Sequence, residues 1–137
     1  MSSQIQAARP VRIASIEPQL VSQKLRIAGR ILAYNREDAI LLIAYGSDAL
    51  FVDISLWLDP SKFLPWLEES NNIVMVLGYL EERTEALPLP TLPLHARDVE
   101  VDPHLVVSAL LVSECPDLDI DMWNRSIVER EKSERSI

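Results

Sequence analysis

Only one cysteine, Cys115, occurs in the 137 residues. That excludes an internal disulfide and a cysteine-based zinc site, and makes a reducing compartment, cytosol or nucleus, the expectation. Glycine occurs three times; the chain has no phosphate-binding loop, no dinucleotide fingerprint and no G-x-S-x-G. The two histidines, His95 and His104, have no metal-ligating neighbour at the right spacing. Aromatic residues make up 6% of the chain, too few for an extensive base-stacking platform. No apolar run reaches the roughly eighteen residues of a membrane span. The segment from Met1 to Gln4 lacks the basic-then-apolar order of a secretory signal, so none is expected.

Catalytic groupings are equally sparse. Glu81 and Glu82, and the trio Asp117, Asp119 and Asp121, are carboxylate clusters. Paired carboxylates can act as acid and base, but these sit at the ends of elements, where caps and turns account for them. Cys115 has no base beside it in the sequence and reads as a small strand-end residue rather than a nucleophile. Neither enzymatic activity nor a cofactor is expected.

What the chain does have is an uneven charge. The net charge is −8, yet residues 1–36 carry six basic groups against one acid, Glu17. Residues 68–121 carry twelve acids against two arginines. Two readings follow: a folded molecule with a basic and an acidic side, or two solvated surfaces without function.

The stretch from Lys24 to Tyr34 organises the rest. Read as a strand, it puts Leu25, Ile27, Ile31 and Ala33 on one side and Lys24, Arg26, Arg30 and Tyr34 on the other. Gly29 lies mid-strand, where a glycine marks a bend, a bulge or a close approach. Asn35 to Asp38 forms a polar turn. Ile40–Tyr45 reads as a second strand, apolar on both faces. Gly46 to Asp48 turns the chain, and Leu50–Ile54 is the third strand. Asp59 and Pro60 read as a helix start. Pro65 conflicts with a continuous helix, so either it opens a second short helix or the first turn is irregular. Trp57 and Trp66 are core residues that could cap a barrel end. Ile73–Leu80 is the fourth strand, again with an internal glycine, Gly78.

Residues 83–104 form a long loop with Pro88, Pro90, Pro93 and Pro103, a length often functional or mobile. Pro90 to Pro93 matches PxxP without the basic flank of such ligands. Leu105–Glu114 is the fifth strand. Asp119 is placed to cap a helix from Ile120 to about Lys132, with Ile120, Trp123 and Ile127 on one face. Residues 1–20 read as a mobile arm that settles near Val11–Ile13. The expected fold is therefore all-β: a five-stranded Greek-key barrel of OB type, with a short helix between strands three and four and a C-terminal α-helix. The expected divisions are 1–20 for the arm, 21–116 for the barrel and 117–137 for an interaction helix.

Two binding modes suit such a barrel. Single-stranded nucleic acid could track Lys24, Arg26 and Arg30 and stack on Tyr34 and Tyr45. A partner protein could dock on the terminal helix, where Met122 and Trp123 are of the type enriched in interface cores. Alternatively, Ile120, Trp123 and Ile127 simply plug the barrel.

The order of these motifs resembles the Ten subunit of the CST telomere-capping complex. The resembling pieces are Leu25–Tyr34, Ile73–Leu80 and the tail from Val107 to Arg135. The resemblance implies a non-enzymatic, nuclear, telomeric subunit that heterodimerises with the Stn-type OB-fold protein and joins a third, large subunit. It implies that the complex binds single-stranded G-rich DNA, with this subunit contributing modestly. It places Met122, Trp123, Ser126, Ile127 and Arg130 on the partner-facing helix. The smallest subunit of replication protein A, and an OB-type scaffold subunit of a DNA-repair assembly, share the same logic of barrel and terminal helix. The 83–104 loop is longer and richer in proline than the family pattern.

Overall fold

In the computed structural model, one strand changes partner halfway along, and that change closes a barrel. The structure describes residues 7–92, 94–96 and 98–135. Its elements are β1 (Arg9–Pro10), β2 (Lys24–Asn35), β3 (Ile40–Tyr45), β4 (Asp48–Asp53), β5 (Ile73–Glu82), β6 (Leu105–Glu114) and α1 (Ile120–Arg135). The first half of β2 pairs antiparallel with β5, from Lys24↔Tyr79 to Arg30↔Ile73. The second half pairs antiparallel with β3, from Arg30↔Ala44 to Asn35↔Ile40. β3 then pairs with β4, β4 runs parallel to β6, and β6 returns to β5. The expected five-stranded OB barrel with its terminal helix is the architecture found, in the ring β2-β3-β4-β6-β5.

Alternation fills the interior. Leu25, Ile27, Ile31, Leu41, Ile43, Val52, Val74, Val76, Leu80 and Val107 form one buried cluster. β3 and β4 are also covered outside, through Ile40, Leu42, Ala44, Ala49 and Phe51. Burial on both faces is why these strands read as unbroken apolar runs.

Both mid-strand glycines are explained by close approach. A Cβ on Gly78 would lie 2.2 Å from the Ser108 carbonyl oxygen, beside the register shift between β5 and β6. A Cβ on Gly29 would meet Ile13 Cδ1 at 3.0 Å and Ile43 at 3.1 Å. Gly29 thus makes room for Ile13, which enters the barrel from the N-terminal segment.

That segment is part of the wall. β1 adds in parallel to the edge of β2 that β3 leaves open, at Arg9↔Leu25 and Pro10↔Arg26. Val11, Ile13 and Leu20 are buried in the main cluster. The division at residue 20 into arm and barrel therefore cuts through a shared core, because β2 needs a cover once it has switched partner. Between β4 and β5 the helix is a single 3₁₀ turn, Pro65–Glu68, with Pro65 at its first position, where a missing N–H costs nothing. Trp57 and Trp66 pack half-buried on the interior cluster, ring centroids 6.1 Å apart. No helix among the described residues is long and apolar enough to cross a membrane.

Candidate interaction surfaces

The terminal helix is built to a fixed start. The Asp119 carboxylate accepts the Met122 N–H at 3.0 Å, as an N-cap. Ile120, Asn124 and Ile127 are buried, and Trp123 is half-buried. Ile120 and Trp123 pack with Ala28, Ile73, Met75 and Leu118, which seats α1 on the outer face of β2 and β5. Both ends are clamped. The Tyr45 hydroxyl donates to Asp121 at 2.7 Å. Near the other end Arg12 donates to Glu131 at 2.6 Å, and Ser15 adds a bond at 3.1 Å.

The five residues placed on the partner-facing helix therefore divide. Met122, Ser126 and Arg130 recur at four-residue spacing on the exposed face, and Met122 is 60% exposed. Ile127 belongs to the barrel-facing side. Trp123 stands at the boundary, touching the sheet with part of its surface open.

An apolar band continues from that boundary onto the sheet. Met75 packs in the same cluster as Trp123. Leu77 lies two residues further along the same face of β5, and its cross-strand partner is Leu111. Leu111 and its neighbour Leu110 are 47% and 44% exposed. The sequence marked β6 as a strand, but only its pairing with β5 shows that these leucines face solvent beside the helix.

The nucleic-acid candidates are dispersed. Lys24, Arg26 and Arg30 share the outer face of β2. Tyr34 does not join them. Leu32 is an extra residue between the pairs Ile31↔Ile43 and Ala33↔Leu42, and a bulge of one residue reverses the side-chain alternation beyond it. Tyr34 consequently packs toward the interior cluster, while Ala33 joins the outer one. Burial raises the Tyr34 hydroxyl above its ordinary pKa. Tyr45 is held by Asp121, and that hydrogen bond is the main cause of its raised pKa. Tyr79, opposite Lys24, is the aromatic residue on the cationic face; counting alternate positions in Ile73–Leu80 would have singled it out.

Ion pairing also trims the basic side. Arg9, Arg12 and Arg36 pair with Glu134, Glu131 and Glu68. Among the described residues, Lys24, Arg26 and Arg30 are the cations of the N-terminal stretch outside such pairs.

The long loop is a strap. Arg83 N–H donates to the His104 carbonyl at 2.7 Å, and Arg83 pairs with Asp53 at 2.6 Å. Ala49 N–H donates to the Glu100 carbonyl at 2.8 Å. Between these anchors Leu92 and Ala96 bury against the outer face of β3 and β4. Pro93 of the PxxP match lies outside the described residues. Among the described residues no group of three or more histidine, cysteine or acidic side chains could hold a metal ion.

No protein-family profile matches the sequence, and no curated protein does. The structure is similar to a chain of the Stn1–Ten1 complex of S. pombe, with a TM-score of 0.63 and 18% identity over 96% of both chains. It is similar to the telomere capping protein Ten1 from S. pombe, with a TM-score of 0.61 and 18% identity over 92% of this chain and 99% of that one. Asparaginyl-tRNA synthetase from Pyrococcus horikoshii matches with a TM-score of 0.53 and 14% identity, over 79% of this chain but 22% of the enzyme. At such identities the likeness establishes the fold: this chain is an OB barrel with a terminal helix, an architecture it shares with Ten1 over nearly its whole length.

Proposed function

We propose that this chain is a non-enzymatic subunit of a nuclear telomere-capping complex, in which it heterodimerises with an Stn-type OB-fold protein. The observation that carries this reading is the exposed apolar band from Met122 and Trp123 across Met75 and Leu77 to Leu111. Apolar surface of this kind beside a fixed helix marks a protein interface. The correspondence in length and architecture with a chain of the Stn1–Ten1 complex supports the choice of partner. In this reading Met122, Trp123, Ser126 and Arg130 meet the partner, and Ile127 holds the helix in place from beneath. A third, large subunit completes the complex, which binds single-stranded G-rich DNA, and Lys24, Arg26 and Arg30 add a modest electrostatic share.

Calorimetric titration of the purified chain with an Stn-type OB-fold protein tests it. Leu111→Asp and Met122→Asp should each weaken binding by about 2 kcal/mol, the scale of an interface hot spot. Phe63→Asp, at an exposed aromatic outside the band, should leave it unchanged. Loss with Phe63→Asp alone would move the interface elsewhere.

A further inference from the structure

In OB barrels the outer face of the second and third strands, between the first hairpin loop and the loop joining strands four and five, binds oligonucleotides and oligosaccharides. Here that face is β3 and β4, and the loops are residues 36–39 and the strap. Leu92 and Ala96 cover part of the face. Beside them a groove of about 250 Å³ stays open, with Ala33, Ile40, Leu42 and Phe51 on the sheet side and residues 87–90 on the strap side. We propose that this groove binds an extended, proline-containing apolar peptide with basic flanks, supplied by a partner protein.

The chemistry of the walls selects that ligand. The groove lining contains no cation. The nearest arginines in sequence, Arg36 and Arg83, are engaged by Glu68 and Asp53. A phosphate backbone would find no counter-charge, while aliphatic side chains would find a largely apolar cleft. Asp38 stands in the lining, with Glu37 beside it and Glu85 two residues before the strap wall. This acidic rim complements lysine or arginine flanking the peptide. Proline fits for a separate reason. The β2 and β3 backbones pair with each other, and Pro88 and Pro90 offer no N–H. A ligand inserted here forms few backbone hydrogen bonds, which favours a segment that has few N–H groups to satisfy and is already extended. The strap itself, Leu-Pro-Leu-Pro over residues 87–90, shows that such a sequence packs on this face. The groove is on the β3–β4 side and α1 on the β2–β5 side, so this inference does not depend on the heterodimer.

The test is an NMR titration of the isotope-labelled full chain with two synthetic peptides. Both contain Leu-Pro-Leu-Pro-Thr-Leu, one flanked by lysine pairs and one by glutamate pairs. Saturable shifts at the amides of Ala33, Ile40, Leu42 and Phe51 are expected with the lysine-flanked peptide, and about tenfold weaker binding of the other. Asp38→Lys, in an exposed turn, should reverse that preference. Shifts that do not saturate, or that centre on other residues, overturn the proposal, as does equal affinity for both peptides. Displacement of the lysine-flanked peptide by a single-stranded oligonucleotide would identify the groove as a nucleic-acid site instead.

Discussion

Arg12 and Glu131, 119 residues apart, are joined at 2.6 Å, tying the start of the chain to the far end of the terminal helix. Neither side chain is fully exposed, and Ser15 adds its hydroxyl to the same carboxylate. Such a pair lies between the exposed case, worth under about 1 kcal/mol, and the buried case. Glu131→Gln should therefore lower stability by about 1–2 kcal/mol, read as a lower urea midpoint with an unchanged slope. An unchanged midpoint would show that the clamp adds nothing.

The two mid-strand glycines should respond differently to alanine. At Gly78 the added Cβ meets backbone, the Ser108 carbonyl, which moves only if β6 moves. Gly78→Ala should cost about 3 kcal/mol or more, measured by chemical denaturation. At Gly29 the nearest atom is the flexible end of Ile13, so Gly29→Ala should cost clearly less. The reverse order would mean that the barrel is more tightly filled at Ile13 than at the β5–β6 contact.

Acid should loosen the strap. Burial of Asp53 acts to raise its pKa, but hydrogen bonds from Ser55 and the Arg83 contact outweigh it and hold the carboxyl below its ordinary value. A carboxyl depressed in the folded state stabilises fully above its unfolded pKa of about 3.9 and loses that contribution as pH falls through the folded value. Wild type should exceed Asp53→Asn in stability by a constant margin at neutral pH. Below about pH 4 the margin should narrow. A margin independent of pH down to strong acid would remove Asp53 from the anchor.

Much of this molecule is legible in its sequence because alternation is a strong signal. Leu25, Ile27 and Ile31 were placed together and do line the interior. The same rule failed three residues later, since the extra residue Leu32 carries no marker and reverses the sides of Ala33 and Tyr34. Pro65 conflicted with a long helix, and it opens a short turn instead. Asn124 illustrates a different limit. It is polar yet buried, donating to the Ile120 carbonyl at 2.8 Å, so composition places it on the wrong face of α1. The strap was recognisable as a long loop, but which surface it covers depends on sheet register, which no loop composition encodes.

The cations of β2 give a prediction about salt. If Arg26 and Arg30 lie along DNA in the assembled complex, the double variant Arg26→Ala, Arg30→Ala should keep the heterodimer intact. The slope of log affinity against log salt should fall by about 2. An unchanged slope would take both residues out of the DNA path.

The central claim is the partner. Affinity purification of the tagged chain from its source cells, followed by mass spectrometry, tests it most directly, with the Leu111→Asp variant run in parallel. The account predicts recovery of an Stn-type OB-fold protein with the wild type and its loss from the variant. Recovery of the larger replication protein A subunits in its place, or of neither, would contradict it.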